Sequence, residues 1–287
     1  MLHKKFVLSL VLLVLAKLSV FAQIATPQPS PAATIKQVVG LADVEIVYSR
    51  PSAKGRVVFG DLVSFDQVWR TGANAATTIS FNEEMTIGGT KVPAGKYALF
   101  TIPNQTEWTV IINKNTALWG SDGYKQEEDV VRVKVKPTSL ADAVETFTIG
   151  VSNLTQNGAF VDIVWEKTKI SFPIEMDVDS KVMGQISKTM ENPKLSLANT
   201  YRSAAKYYLD NNKDLNKALE WINESVKIRP DAYWIVRDKA LIQAALKDYK
   251  GAIETAKLSI EVAKKAKNED YVKNNEKSIE EWSKMKK

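Results

Sequence analysis

Cysteine is absent from the 287 residues, and histidine occurs once, as His3. Removal of the N-terminus would leave neither. That excludes the usual general base near neutral pH, the Ser-His-Asp and Cys-His nucleophiles and Cys/His zinc sites. Disulfides and a lipid-modified N-terminal cysteine are excluded as well, so stability rests on core packing. An enzyme built from this chain would work with carboxylates, Lys, Tyr, Ser or a hard metal bound by oxygen. Gly-rich phosphate loops are also missing, with no Walker motif and no strand-linked dinucleotide fingerprint. No cofactor is implied.

Long apolar runs are confined to the start. His3, Lys4 and Lys5 precede the apolar run Phe6 to Ala16, and Val20-Phe21-Ala22 suits a cleavage site. Residues 1–22 therefore read as a signal peptide cut between Ala22 and Gln23. Lys17 interrupts the run too early for a permanent anchor, which needs about 20 apolar residues. No later segment is apolar enough to span a membrane. Loss of Lys4, Lys5 and Lys17 lowers the formal charge from +6 to +3, too little to suggest a nucleic-acid partner. The expectation is an exported protein, in the periplasm rather than fully extracellular, because a signal peptide alone commits a chain only across the inner membrane.

Residues 23–33 carry Pro27, Pro29 and Pro31 among small residues, as an extended leader would. Over 34–176 the pattern has period two. Val131, Val133 and Val135 alternate with Arg132, Lys134 and Lys136. Trp108, Val110 and Ile112 form another set, as do Phe147, Ile149 and Val151, and Ile170, Phe172 and Ile174. Gly88-Gly89 and Asn157-Gly158 suit tight hairpins. No helix-length segment separates these runs, so the expected fold is an antiparallel β-sandwich, jelly-roll-like.

Within this half, four blocks stand out in order: RPS-x-KGR from Arg50, VWRTGAN from Val68, IGG-x-x-VPAGKYALFTIP from Ile87, and Trp119-Gly120. In these the chain resembles a family of secreted bacterial proteins known as the domain of unknown function 2911. The likeness runs from Tyr48 to Ile174, about half of the chain. It implies a fold and an exported compartment, and brings no reaction.

Residues 177–287 change to helical period. Asp214-Leu215-x-Lys217-Ala218-Leu219-Glu220 recurs 34 positions later as Asp248-Tyr249-x-Gly251-Ala252-Ile253-Glu254. This resembles the tetratricopeptide repeat, with small Ala218 and Ala252 where helices cross and Pro230 closing the first unit. Lys206 and Ala240 replace the expected glycine, and the second unit has no closing proline. Helices near 180–190 and 268–284 would cap the pair. The half is thus all-α, either offering a short groove to a protein partner or docking on the β half.

Three groups could carry chemistry. Arg50, Arg56 and Arg70, with Asn74 after Gly72, could form an anion pocket, since guanidinium forks suit carboxylate and phosphate. They could instead pair with Asp43, Asp61, Asp66 or Glu145 and hold loops. Trp69 directly precedes Arg70, and Trp119 falls in the loop-like WGSDGY, where a ring could stack on a sugar or fold over the sandwich edge. Trp108 and Trp165 sit in phase with core positions. The carboxylates Glu83-Glu84, Glu127-Glu128-Asp129, Asp142 and Glu145 show no calcium-loop spacing and read as solvated surface. The composite expectation is a non-catalytic binding protein for an anion, a glycan or a protein partner. A carboxylate-dependent hydrolase of envelope glycans is the alternative.

Overall fold

The computed structural model describes residues 26–191 and 197–285, so the expected signal peptide and its cleavage point lie outside the described residues. The chain divides into two compact units, one ending at Val178 and one beginning at Asp179.

The first unit holds strands β1 (Ala32–Val39), β2 (Ala42–Ser49), β3 (Thr78–Phe81), β4 (Met85–Ile87) and β5 (Thr90–Val92). β6 (Gly95–Ile102), β7 (Trp108–Asn113), β8 (Asp129–Val135), β9 (Thr138–Ser152) and β10 (Gly158–Glu175) follow. They form two antiparallel sheets, in the orders β1-β2-β3-β6-β7-β8 and β5-β4-β10-β9. β1 begins inside the stretch expected to be leader, and the Pro31 carbonyl already accepts the Arg50 N–H.

Alternation places the core. In β2, Ala42, Val44, Ile46 and Tyr48 are buried while their neighbours are more exposed. In β10 the buried set changes parity, from Val161, Ile163 and Trp165 to Ile170, Phe172 and Ile174. The register against β9 shifts around Glu166, which holds φ +51°. This bulge inserts the residue that returns the second set to the core face. Gly88 and Gly89, at φ +56° and +81°, make the expected two-residue hairpin between β4 and β5. Asn157-Gly158 does not: β9 ends at Ser152, so the connection is a five-residue loop, and Gly158 starts β10 beside the Ile174 carbonyl.

The sheets meet across aromatic rings. Trp165 stacks on Trp69 at 6.0 Å, and Phe147 meets both edge-on at 5.6 and 5.3 Å. Tyr48 of β2 donates its hydroxyl to the Ile149 carbonyl of β9 at 3.2 Å. Burial of each such ring stabilises by about 1.5–3 kcal/mol.

The second unit contains α1 (Val178–Met190, from its second residue), α2 (Ala198–Asp210), α3 (Leu215–Ile228), α4 (Tyr233–Ala245), α5 (Tyr249–Lys265) and α6 (Glu269–Met285). Short connections from α2 onward make neighbours of consecutive helices. The 34-residue correspondence has a physical counterpart. Asp214 and Asp248 both cap the following helix, accepting from the Asn216 and Lys217 N–H groups and from the Gly251 N–H. Ala218 and Ala252 are fully buried. Ser225 donates to the Ala198 carbonyl at 2.7 Å, and Ser259 to the Tyr233 carbonyl at 2.8 Å, so each second helix is latched to the start of the one before it. Replacing Asp214 with Ala should cost about 1 kcal/mol in urea unfolding, and Asp248→Ala the same. A change under about 0.3 kcal/mol would show that these caps do not hold their helices.

Candidate functional site

The centre of the six-stranded sheet is buried on both faces. Leu99, Val110 and Ile112 face the other sheet, while Ala98, Phe100 and Ile111 face outward and are buried nonetheless. Their cover is the β7–β8 connection, residues 114–128, whose Leu118 and Tyr124 pack on them together with Val68. Tyr124 meets Phe100 edge-on at 5.4 Å.

Polar groups pin this loop at both ends. Asn113 is fully buried, donates to Asp129 at 2.8 Å and accepts the Asn115 N–H at 2.8 Å. The Leu118 carbonyl accepts the Ala76 N–H at 3.0 Å. Tyr124 donates to Asp129 at 2.6 Å, and Arg132 reaches both, at 2.9 and 2.7 Å. Burial, aided by the bond to Asp129, pushes the Tyr124 hydroxyl up to about 12. Burial opposes the Arg132 charge, yet Asp129 and Tyr124 hold its pKa above the ordinary value.

Between these anchors Trp119 stands 74% exposed, the largest ring left to solvent on a fixed loop. The next residue, Gly120, has φ +107°, and a side chain there would lie 3.7 Å from Nη1 of Arg70. Arg70 thus reaches under the loop. Its Nε is buried without a partner, and no hydrogen bond or ion pair of its side chain occurs among the described residues. The second such orphan is Oε2 of Glu128, at the far end of the same loop. The pair consists of a donor lacking an acceptor and an acceptor lacking a donor.

Arg70 is rigidly set. Trp69 exchanges both backbone bonds with Thr101, at 2.7 and 2.9 Å, and the Arg70 carbonyl accepts the Thr77 N–H at 3.2 Å. Thr71 follows at φ +54°, a strained conformation for a β-branched residue. Gly72, at φ +148°, sits where a side chain would come 3.0 Å from the Ser49 carbonyl. The close approach it permits is to backbone.

The other sequence candidates divide. Arg50 donates to the Phe147 carbonyl at 3.1 Å and to Thr148 at 2.8 Å, tying β2 to β9. Arg56 donates to the Ala53 and Ser52 carbonyls, at 2.9 and 2.8 Å, closing its own turn. Neither joins Arg70 in a shared pocket through any recorded contact, and their partners are carbonyls and a hydroxyl rather than the carboxylates anticipated. Asn74, at φ +60°, donates to the Ser30 carbonyl and to Ser49. Trp69 is buried in the aromatic core and donates to the Gly72 carbonyl, so its ring is packing. In the sequence Glu128 reads, with Glu127 and Asp129, as solvated surface; Ile111, apolar where the alternation calls for a polar residue, is the signal that something covers this face.

Three of the carboxylates singled out are engaged. Glu84 pairs with Lys91 at 2.9 Å, Glu145 accepts the Lys54 N–H at 2.8 Å, and Asp129 belongs to the Tyr124–Arg132 anchor. Among the described residues no group of three or more acidic side chains converges to hold a metal ion. No described helix is long and apolar enough to cross a membrane. In the second unit, an apolar groove of about 360 Å³ lies between α1 and α2, lined by Val182, Ile186, Met190 and Ala204 with Asn199 and Thr200 at its side.

No curated protein and no solved structure gives a significant match to the chain. The family model described as protein of unknown function (DUF2911) matches residues 30–174, which include Arg70, Trp119, Glu128 and both sheets. The chain belongs to that family.

Proposed function

We propose that the protein is an exported, non-catalytic binding protein whose ligand, a glycan or a small organic anion, docks on the loop-covered face of the six-stranded sheet. Trp119 supplies a stacking surface, Arg70 an anion or hydroxyl contact, and Glu128 an acceptor for a ligand hydroxyl. The observation that carries the reading is Arg70, whose guanidinium lies under the Trp119-Gly120 loop with a buried, unpartnered Nε. A buried donor without an acceptor costs about 1–3 kcal/mol, and such a cost is retained where a ligand supplies the missing acceptor. The engaged carboxylates support binding rather than hydrolysis.

A thermal-shift screen of the chain against acidic and neutral glycan fragments and small organic anions tests it, with Arg70→Ala and Trp119→Ala alongside. A ligand at 100 times its Kd adds about 2.7 kcal/mol to the wild type, and both variants should lose that gain. Arg70→Ala should itself melt within about 0.5 kcal/mol of wild type, or above it, since no protein hydrogen bond is lost. A drop of about 2 kcal/mol or more would instead assign Arg70 a structural role. A flat screen would shift weight to the second reading, a protein partner at the tetratricopeptide-like half, which the groove between α1 and α2 favours.

A further inference from the structure

A second cavity, of about 250 Å³, lies in the β unit and shares no lining residue with the Arg70–Trp119 face. Its apolar wall is made by Phe59, Phe65 and Trp108. Trp108 is 1% exposed and meets Phe59 edge-on at 4.8 Å, so the rings form a backed surface rather than loose side chains. Phe59 and Phe65 remain half-buried. Gly60 is required here: at φ +101°, a side chain on it would come 2.8 Å from the Phe65 ring.

The polar side of the cavity comes from other segments. Pro137, Thr138 and Ser139 open β9, and Lys167 and Thr168 come from the β10 bulge. Glu166, at the bulge, accepts the Val58 N–H at 3.3 Å and so ties it to the segment bearing Phe59. Asn104 is committed to the protein, donating to Asp66 at 2.8 Å and accepting from Thr106. By contrast, the side chains of Gln105, Ser139, Lys167 and Thr168 make no hydrogen bond or ion pair among the described residues. Lys167 is the one charged residue of the lining, and no carboxylate lines the cavity.

Aromatic faces beside unspent amide, hydroxyl and ammonium groups match a ligand with an apolar ring face, hydroxyls at its edge and one negative charge. The volume falls just under the roughly 300 Å³ at which drug-sized pockets begin, which restricts the occupant to about one ring. We infer that this cavity is a binding site for a single acidic sugar residue, stacked on Phe59 and Phe65 with its carboxylate at Lys167. A bulge and left-handed residues on both sides (Asp66 at φ +59°, Glu166 at φ +51°) are the kind of local strain that accompanies a site shaped for a ligand.

The test is a ligand-observed NMR titration of the full chain with D-glucuronate, D-galacturonate and N-acetylmuramate, against glucose and galactose. At least one acid should bind ten-fold or more tightly than the neutral sugars. Lys167→Gln, at an exposed position, should bring that acid down to the neutral level, and Phe65→Ala should weaken acid and neutral sugars alike by at least five-fold. Trp119→Ala removes the stacking surface of the other face and should leave the acid preference, with its dependence on Lys167 and Phe65, in place, with circular dichroism confirming that each variant is folded. Failure of all three acids to saturate, equal binding of acids and neutral sugars, or loss of the signal in Trp119→Ala would each overturn the assignment. The last would place binding on the other face, so this inference and the proposed function fail separately.

Discussion

Trp165→Ala should lower the melting temperature by roughly 10 °C or more, the largest single effect expected in the β unit. The ring is 2% exposed, stacks on Trp69, and is flanked by Phe147 and Phe59 at 5.6 and 6.2 Å. Its indole N–H donates to the Glu145 carbonyl at 3.1 Å. Truncation removes the transfer term, leaves a cavity that the three neighbouring rings cannot collapse to fill, and strips a partner from a carbonyl, for about 4 kcal/mol in all. The same deletion at Trp119, where the ring is 74% exposed, should cost under about 0.5 kcal/mol. Calorimetry of both variants checks the contrast. A Trp165→Ala shift of under 3 °C, roughly one kcal/mol, would mean that the aromatic cluster does not join the two sheets.

Arg202→Leu is expected to be the most damaging change in the helical unit. Arg202 on α2 donates to Asp238 on α4 at 2.6 Å, and Asp238 is 5% exposed. Removing the arginine strands a buried carboxylate, a loss of about 3 kcal/mol near neutral pH. The figure sits at the low end because the Arg202 side chain is 32% exposed. The double variant Arg202→Leu/Asp238→Leu should recover most of the loss, since no charge then remains buried.

The pH dependence has a definite sign. Burial raises the Asp238 pKa above its ordinary 3.8, with Arg202 pulling the other way. A carboxyl whose folded pKa is raised contributes stability that is whole below the unfolded value and is lost as pH climbs through the folded one. Without Arg202 the opposing pull is gone and the loss extends to higher pH. The gap between wild type and Arg202→Leu should therefore be smaller at pH 4 than at pH 7.5 in urea unfolding followed by helix signal. Equal gaps at the two values would show that Asp238 is not the group left unpaired.

The helical unit also shows how a repeat drifts. Arg237, one residue beyond the position that matches Arg202 at the 34-residue spacing, reaches Asn275 at 2.9 Å and Ser278 at 3.4 Å in place of a carboxylate. Burial pushes its pKa below the ordinary value. The latch is kept through neutral groups, as Asn275 also donates to Ser259 at 3.0 Å.

The sequence by itself determined the two kinds of layer, because period-two and helical alternation are local consequences of backbone geometry. It determined the Gly88-Gly89 hairpin, the recurrence of Asp214-to-Glu220 as Asp248-to-Glu254, and the absence of any thiol or imidazole from the described residues. Among its arginines it could not choose, since Arg50, Arg56 and Arg70 look alike until their surroundings are known. Two are spent on carbonyls and a hydroxyl, and one is left without a partner under a loop. Nor could it separate Trp69, which faces the core, from Trp119, which does not, or bring Phe59, Phe65 and Lys167 to one cavity across more than a hundred residues. Those outcomes were decided by tertiary structure, because which hydrogen bonds a side chain finds, and whether water reaches it, depends on strands and loops distant in the chain.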